Sequence, residues 1–289
     1  MKLISIFAFL AGTSFLTAPA FGDSEETRRN IRRLADQISD LSFQASLNSE
    51  QLAEAEYQLK QVRSLLDGVS SRVVLENVRD ISIGGERQWV AKTDGSIIFR
   101  DGTDTFRQLQ GSAATIRAID SNHILAIDSG NRIMEWDGSN WRQRAGLGLD
   151  VGGNARGDVC LIGTNRQPHC YTPQGGLIGM VGLGLRIDLQ SDGHIWMMGT
   201  NNRLYHWQDG RWFEPNGHYI MLTDVIVGPD DELYGIDLSS NVVKIDAFNG
   251  ITTILDSGAR AAAITSRGQV FSVTSENRLL SPKPLVLFE

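Results

Sequence analysis

The chain has 289 residues and a formal net charge of −7, with 34 acidic against 27 basic residues. Contacts to phosphate are made by an excess of Lys and Arg, so an acidic chain of this kind is a poor nucleic-acid binder. Two cysteines and five histidines occur without HExxH, Gly-x-Ser-x-Gly, P-loop or zinc-type spacing, and no cofactor, metal site or catalytic constellation is expected.

Met1 and Lys2 precede an apolar run over 3–16, and Ala18-Pro19-Ala20 supplies a small-x-small cleavage site. This order predicts a signal peptide over 1–22, and hence a secreted or periplasmic protein with no membrane span in the mature chain. Residues 23–68 hold neither Gly nor Pro before Gly68 and are rich in helix formers, with an N-cap candidate in Ser24-Glu25-Glu26-Thr27. Ile31, Ile38, Ala45, Leu52, Leu59 and Leu66 fall at heptad position a, and Leu34, Leu41, Asn48, Ala55 and Val62 at d. A seam with this 3.5-residue period predicts a coiled coil through which the chain associates with itself, on Ile31, Leu34, Ile38, Leu41, Leu52, Leu59, Val62 and Leu66. Asn48 either fixes the register of an oligomer or opens a helical hairpin, since Asn48-x-x-Gln51 also has the form of a capping box. Residues 69–78 are a linker or a strand that closes the following domain, and Leu285-Val286-Leu287-Phe288 competes for the same outer position.

From residue 79 to 289 the chain repeats itself. Gly111, Gly146, Gly182, Gly217 and Gly258 are separated by 35, 36, 35 and 41 residues. A second landmark recurs as Trp89, Leu125, Cys160, Trp196, Tyr234 and Phe271. Turns with Asn before Arg follow at Asn131-Arg132, Asn165-Arg166, Asn202-Arg203 and Asn277-Arg278, and turns of Asp-Gly type lead to Trp141 and Trp212. The best-preserved unit, 182–217, has four runs of strand character, at 186–189, 194–198, 203–207 and 212–214, divided by Asp-Gly, Asn-Asn and Asp-Gly. Asn, Asp and Gly tolerate the positive φ of tight hairpins, so each unit reads as a four-stranded antiparallel meander. The expected fold is an all-β six-bladed β-propeller preceded by a long N-terminal α-helix.

The order of apolar strand, Gly, Trp-containing strand, Gly-Thr, Asn-Arg, Leu-Tyr-x-Trp, Asp-Gly-x-Trp and closing Pro-x-Gly resembles the tectonin repeat of tectonins and tachylectin-type lectins. The match is close in the second and fourth units. It fades in the third, with Tyr171-Thr172-Pro173-Gln174-Gly175-Gly176, and in the fifth, with Ile245-Asp246-Ala247-Phe248-Asn249-Gly250. The resemblance implies binding of glycan or lipopolysaccharide at shallow sites repeated around a ring, which self-association would make multivalent. Trp141 and Trp212 are stacking candidates, although a recurring aromatic is first of all what packs one blade on the next. Arg132, Arg166, Arg203 and Arg278 are candidates for an acidic glycan, or turn residues that pack across the strands.

Cys160 and Cys170 lie symmetrically about Asn165 on adjacent strands of the third unit. Opposed residues of an antiparallel pair have Cα atoms about 4.5 to 5.5 Å apart, so a disulfide is expected in an exported chain. Two functions follow from these features. One is a non-enzymatic multivalent lectin, and the other is a cell-envelope protein-interaction scaffold with no sugar ligand, favoured by the weak third and fifth units.

Overall fold

The computed structural model describes residues 73–102 and 105–282. The signal peptide, the heptad segment and residues 285–288 lie outside the described residues. After β1 (Val73–Leu75), the chain forms a first meander of β2 (Val78–Gly84), β3 (Arg87–Lys92), β4 (Ser96–Asp101) and β5 (Arg107–Ser112). Then come β6 (Thr115–Ala118), β7 (Ile124–Ile127), β8 (Arg132–Trp136), β9 (Trp141–Gly153), β10 (Val159–Gly163), β11 (Pro168–Tyr171) and β12 (Leu177–Gly179), all in one sheet. A further sheet holds β13 (Gly184–Leu189), β14 (Ile195–Gly199), β15 (Leu204–Gln208) and β16 (Arg211–Phe213), and the next β17 (Leu222–Val227), β18 (Leu233–Asp237), β19 (Asn241–Asp246) and β20 (Ile251–Ser257). The last comprises β21 (Ala259–Ile264), β22 (Val270–Thr274), β23 (Leu279–Leu280) and β1, which pairs antiparallel with β23.

The molecule is a β-propeller, but its sheets correct the expected six four-stranded blades; the expected N-terminal helix lies outside the described residues. The described residues form four four-stranded sheets and one seven-stranded sheet, and they contain no α-helix, only the short 3-10 turn Pro215–Gly217. The physical cause lies in β9. Its first half pairs with β8, Trp136 opposite Trp141, and its second half with β10, from Gly148 opposite Gly163 to Gly153 opposite Val159. The run Gly146-Leu147-Gly148, read from the repeat as a connection between blades, stays extended, so the outer strand of one meander continues as the inner strand of the next.

The strands of the best-preserved unit start and stop within one or two residues of their sequence positions, because Asp209-Gly210 and Asn202 take the positive φ those turns demand. The core lies between successive meanders rather than within one. Trp89 and Ile97 pack on Ile116 and Ile124, Leu125 and Ile133 on Val151 and Leu161, and Ile162 on Ile187 and Met197. Trp196 and Leu204 then meet Leu222 and Leu233, Tyr234 meets Ala262 and Val270, and Phe271 and Val273 return to Val78 and Val90. All six landmark residues are buried, so the recurrence at that position is a packing demand. The Cys160–Cys170 disulfide is formed across β10 and β11, whose register sets the two residues opposite each other.

Candidate functional site

The repeated glycines acquire a reason in three dimensions. The Trp141 Nε1–H donates to the Gln110 carbonyl, just before Gly111, and a Cβ on Gly111 would lie 2.9 Å from that nitrogen. The Trp212 Nε1–H donates to the Val181 carbonyl at 2.7 Å, just before Gly182, where a Cβ would lie 3.2 Å from the indole. At Gly146 the place of the indole N–H is taken by the Tyr171 hydroxyl, which donates to the Ala145 carbonyl, while Leu177 lies 2.8 Å from where a Cβ would be. Burial pushes the Tyr171 hydroxyl up to about 12, so it remains a donor. Each ring is a latch from one repeat onto the one before it. Each Trp is also backed by a cross-strand indole, Trp136 at 5.6 Å from Trp141 and Trp207 at 4.9 Å from Trp212.

The inward-facing strands carry a second set of links that sequence reading passed over. The Asp80 carboxylate accepts the backbone N–H of Ile116 at 2.9 Å, that of Asp150 accepts Ile187 N–H at 2.8 Å, and that of Asp188 accepts Val227 N–H at 2.8 Å. Each bond runs from one inner strand to the next. On the closing side, Arg260 donates to the carbonyls of Val78 and Arg79. Arg117 lies 3.5 Å from Asp188, and Arg186 lies 3.5 Å from Asp224. Burial pushes Asp150 up to about 7, against the opposing pull of Arg186 and Arg117. The legible signal was an Asp near the start of first strands, at 80, 150 and 224, two repeats apart and then two again. With backbone partners on each, this belt sets register between inner strands.

Three of the five histidines have hydrogen-bond partners: His169 on the Gln167 carbonyl, His194 on Asp192 and His123 on Glu135. His123 joins Arg142 and Arg144 on the buried Glu135, whose carboxyl falls to about 2: burial pushes it up, but the hydrogen bonds from Arg144, Arg142 and His123 outweigh it. Among the described residues no group of three His, Cys, Asp or Glu is placed to hold a metal ion.

The four candidate arginines sit at the turns between second and third strands, with exposed apolar residues beside three of them. The carbonyl of the positive-φ residue in each turn accepts an N–H from the connection to the next inner strand: Asn131 from Gly148, Arg166 from Gly184 and Asn202 from Leu222. Those connections carry Leu147, Leu149, Val181, Leu183, Tyr219 and Met221, all exposed, Leu183 at 53 % and Tyr219 at 66 %. Arg132 is register partner to Leu147, and the Arg203 guanidinium stands 4.2 Å over the Tyr219 ring. The result is one end of the propeller on which Arg132, Arg166 and Arg203 alternate with apolar side chains. Arg278 belongs to a different setting, 2.7 Å from Glu276 and beside Glu76, with no large exposed apolar residue in its connection. Arg132 is held by Asp128 at 2.6 Å and Arg203 by Glu214 at 2.8 Å.

Two of the five repeated glycines, Gly217 and Gly258, have no ring above them. No ring reaches Gly217, where a Cβ would meet nothing within 4 Å. Instead the Asn216 amide donates to the Phe248 carbonyl at 2.9 Å, and a groove of about 700 Å³ opens between β14–β16 and the turn after β19. Trp196, His206 and Phe213 line it in series, with His206 centred 5.5 Å from Trp196 and 5.8 Å from Phe213.

No protein-family model matches the chain. No curated protein matches it by sequence. Among solved structures, "Crystal Structure of Mitotic Checkpoint Complex" aligns at TM-score 0.56 and 12% identity, over 73% of this chain and 93% of that one. The WD40 β-propeller domain of Doa1 aligns at TM-score 0.52 and 10% identity, over 73% and 96%. "YCF48 bound to D1 peptide" aligns at TM-score 0.48 and 14% identity, over 73% and 79%. At these identities the first two likenesses establish the β-propeller fold and leave the tectonin resemblance without a family match.

Proposed function

We propose that this chain is a protein-interaction scaffold whose propeller docks a partner protein on the end bearing Leu147, Leu149, Val181, Leu183, Tyr219 and Met221. The carrying observation is the concentration of exposed apolar side chains on three successive connections, interleaved with Arg132, Arg166 and Arg203. Arg, Tyr and Met are enriched at protein interfaces, and an exposed apolar patch of this kind marks an interaction surface. The solved mitotic checkpoint complex supplies a propeller of like fold inside an assembly. The lectin reading has weaker support here. Sugar stacking needs a free aromatic face, and the rings of Trp141 and Trp212 lie on the preceding repeat, each with its N–H committed. Arg132 and Arg203 each carry a carboxylate of their own, which blunts attraction for an acidic glycan. The disulfide is compatible with an exported protein. Self-association through residues 23–68 would then present several docking faces together.

The test is a Leu183→Glu, Tyr219→Ser double variant, expressed in place of the natural chain and followed on native gels of the exported fraction. Both residues are exposed, so the melting temperature should hold while the protein leaves its larger assembly. An unchanged assembly with the double variant would sink the proposal, and a matching response of glycan-array binding would return the reading to the lectin.

A further inference from the structure

We infer that the groove beside Gly217, which borders the connection carrying Tyr219 and Met221 and runs out to the turns at 190–194 and 246–248, is a second binding site, and that its ligand is a basic, arginine-bearing peptide segment. The groove exists because of a local sequence change. In the second and fourth units an Asp-Gly turn delivers a Trp onto the preceding repeat, whereas the fifth unit has Ala247-Phe248-Asn249-Gly250-Ile251. Phe248 therefore projects outward, 75 % exposed, as one wall. A second hollow of about 420 Å³ continues from the first, the two sharing Gln190, Trp196 and Ala247. Together they make an elongated trough, suited in shape to a stretch of extended chain.

The charge is in acidic excess. Asp192 and Glu214 line the larger part, and Asp231, Glu232 and Asp246 the smaller. Against five carboxylates stand Lys244, 3.4 Å from Glu232, Arg203, 2.8 Å from Glu214, and His194, whose Nδ1 lies 2.8 Å from Asp192. The remaining imidazole, His206, is held toward its neutral form by burial and by the neighbouring His194. A guanidinium fits this pairing of carboxylates with aromatic faces, stacking on Phe248 or His206 while it donates to Glu232 or Asp246. An acidic segment would meet repulsion along the whole trough.

The experiment is fluorescence anisotropy of the purified protein with labelled octapeptides of alternating Gly-Arg and of alternating Gly-Glu, with maltohexaose titrated calorimetrically. The Gly-Arg peptide should bind saturably and the other two should not. A Glu232→Gln, Asp246→Asn variant, changed only at exposed carboxylates, should weaken it by about fivefold or more. Phe248→Ala should weaken it with unchanged melting temperature, and Leu183→Glu, outside the groove lining, should leave it alone. Failure of the Gly-Arg peptide to saturate would overturn the inference. So would equal binding of the Gly-Glu peptide, binding of maltohexaose alone, or indifference to all the groove variants. The Leu183→Glu arm separates a failure here from a failure of the docking-face proposal.

Discussion

Gly182→Ala and Gly217→Ala make a matched pair, because the two glycines are equivalent in the repeat and only Gly182 lies under an indole. Gly182 has φ +92 and Gly217 φ +77, so both alanines take on a backbone conformation that costs about 1–3 kcal/mol. Above Gly217 a Cβ meets nothing within 4 Å, and the cost ends there. Above Gly182 it lies 3.2 Å from Trp212 Cδ1 and 3.4 Å from Nε1. The indole must shift, and its 2.7 Å bond to Val181 is weakened or lost, a further cost of about 0.5–1.5 kcal/mol. For a domain of this size each kcal/mol is about 2–4 °C in melting temperature. Chemical and thermal unfolding of both variants, followed by tryptophan fluorescence, should place Gly182→Ala below Gly217→Ala by roughly 1–6 °C. In a Trp212→Ala background that gap should close. Equal losses, or a gap that survives removal of the indole, would refute the latch.

Three further outcomes are expected. Reduction of the Cys160–Cys170 disulfide, or a Cys160→Ser, Cys170→Ser variant, should lower stability by about 2–3 kcal/mol, the entropy of a loop this short, and the variant's melting should no longer respond to reductant. Tyr171→Phe should cost about 1 kcal/mol in denaturant unfolding if the hydroxyl serves as the latch onto Ala145, and nothing if it is merely solvated. Asp150 binds its proton more tightly folded, up to about 7, than unfolded, so its contribution is full at low pH and is lost as pH rises from about 4 through 7. Asp150→Asn, whose amide oxygen can still accept Ile187 N–H, should flatten that decline in unfolding free energy, and an unaltered pH profile would contradict the buried placement.

Much of the architecture was open to reading because it is periodic. Gly, Asn and Asp mark turns through backbone tolerance alone, and a repeat of four short strands leaves few folds in which each face is covered. The Cys160–Cys170 pairing was legible for the same reason, since Asn165 centres the hairpin. The six-blade expectation failed at Gly146-Leu147-Gly148, because nothing in a glycine-rich connection tells whether it bends away or runs on as one strand. Trp141 and Trp212 were marked as candidates, but only the neighbouring carbonyls of Gln110 and Val181 reveal what their N–H groups do. The exposed residues Leu183 and Tyr219 were overlooked because an apolar side chain beside Gly looks the same in sequence whether it is covered or bare. The groove at Gly217 was equally hidden, since it arises from a ring that the fifth unit does not supply.

The central claim is that the end carrying Leu183 and Tyr219 meets a protein. Photo-crosslinking from an activatable residue placed at Leu183, with Ser139 at the opposite strand ends as the control, tests it most directly. The predicted result is a discrete protein adduct from position 183 and none from 139, removed by Tyr219→Ser. Adducts of equal yield from both positions, or from neither, would contradict it.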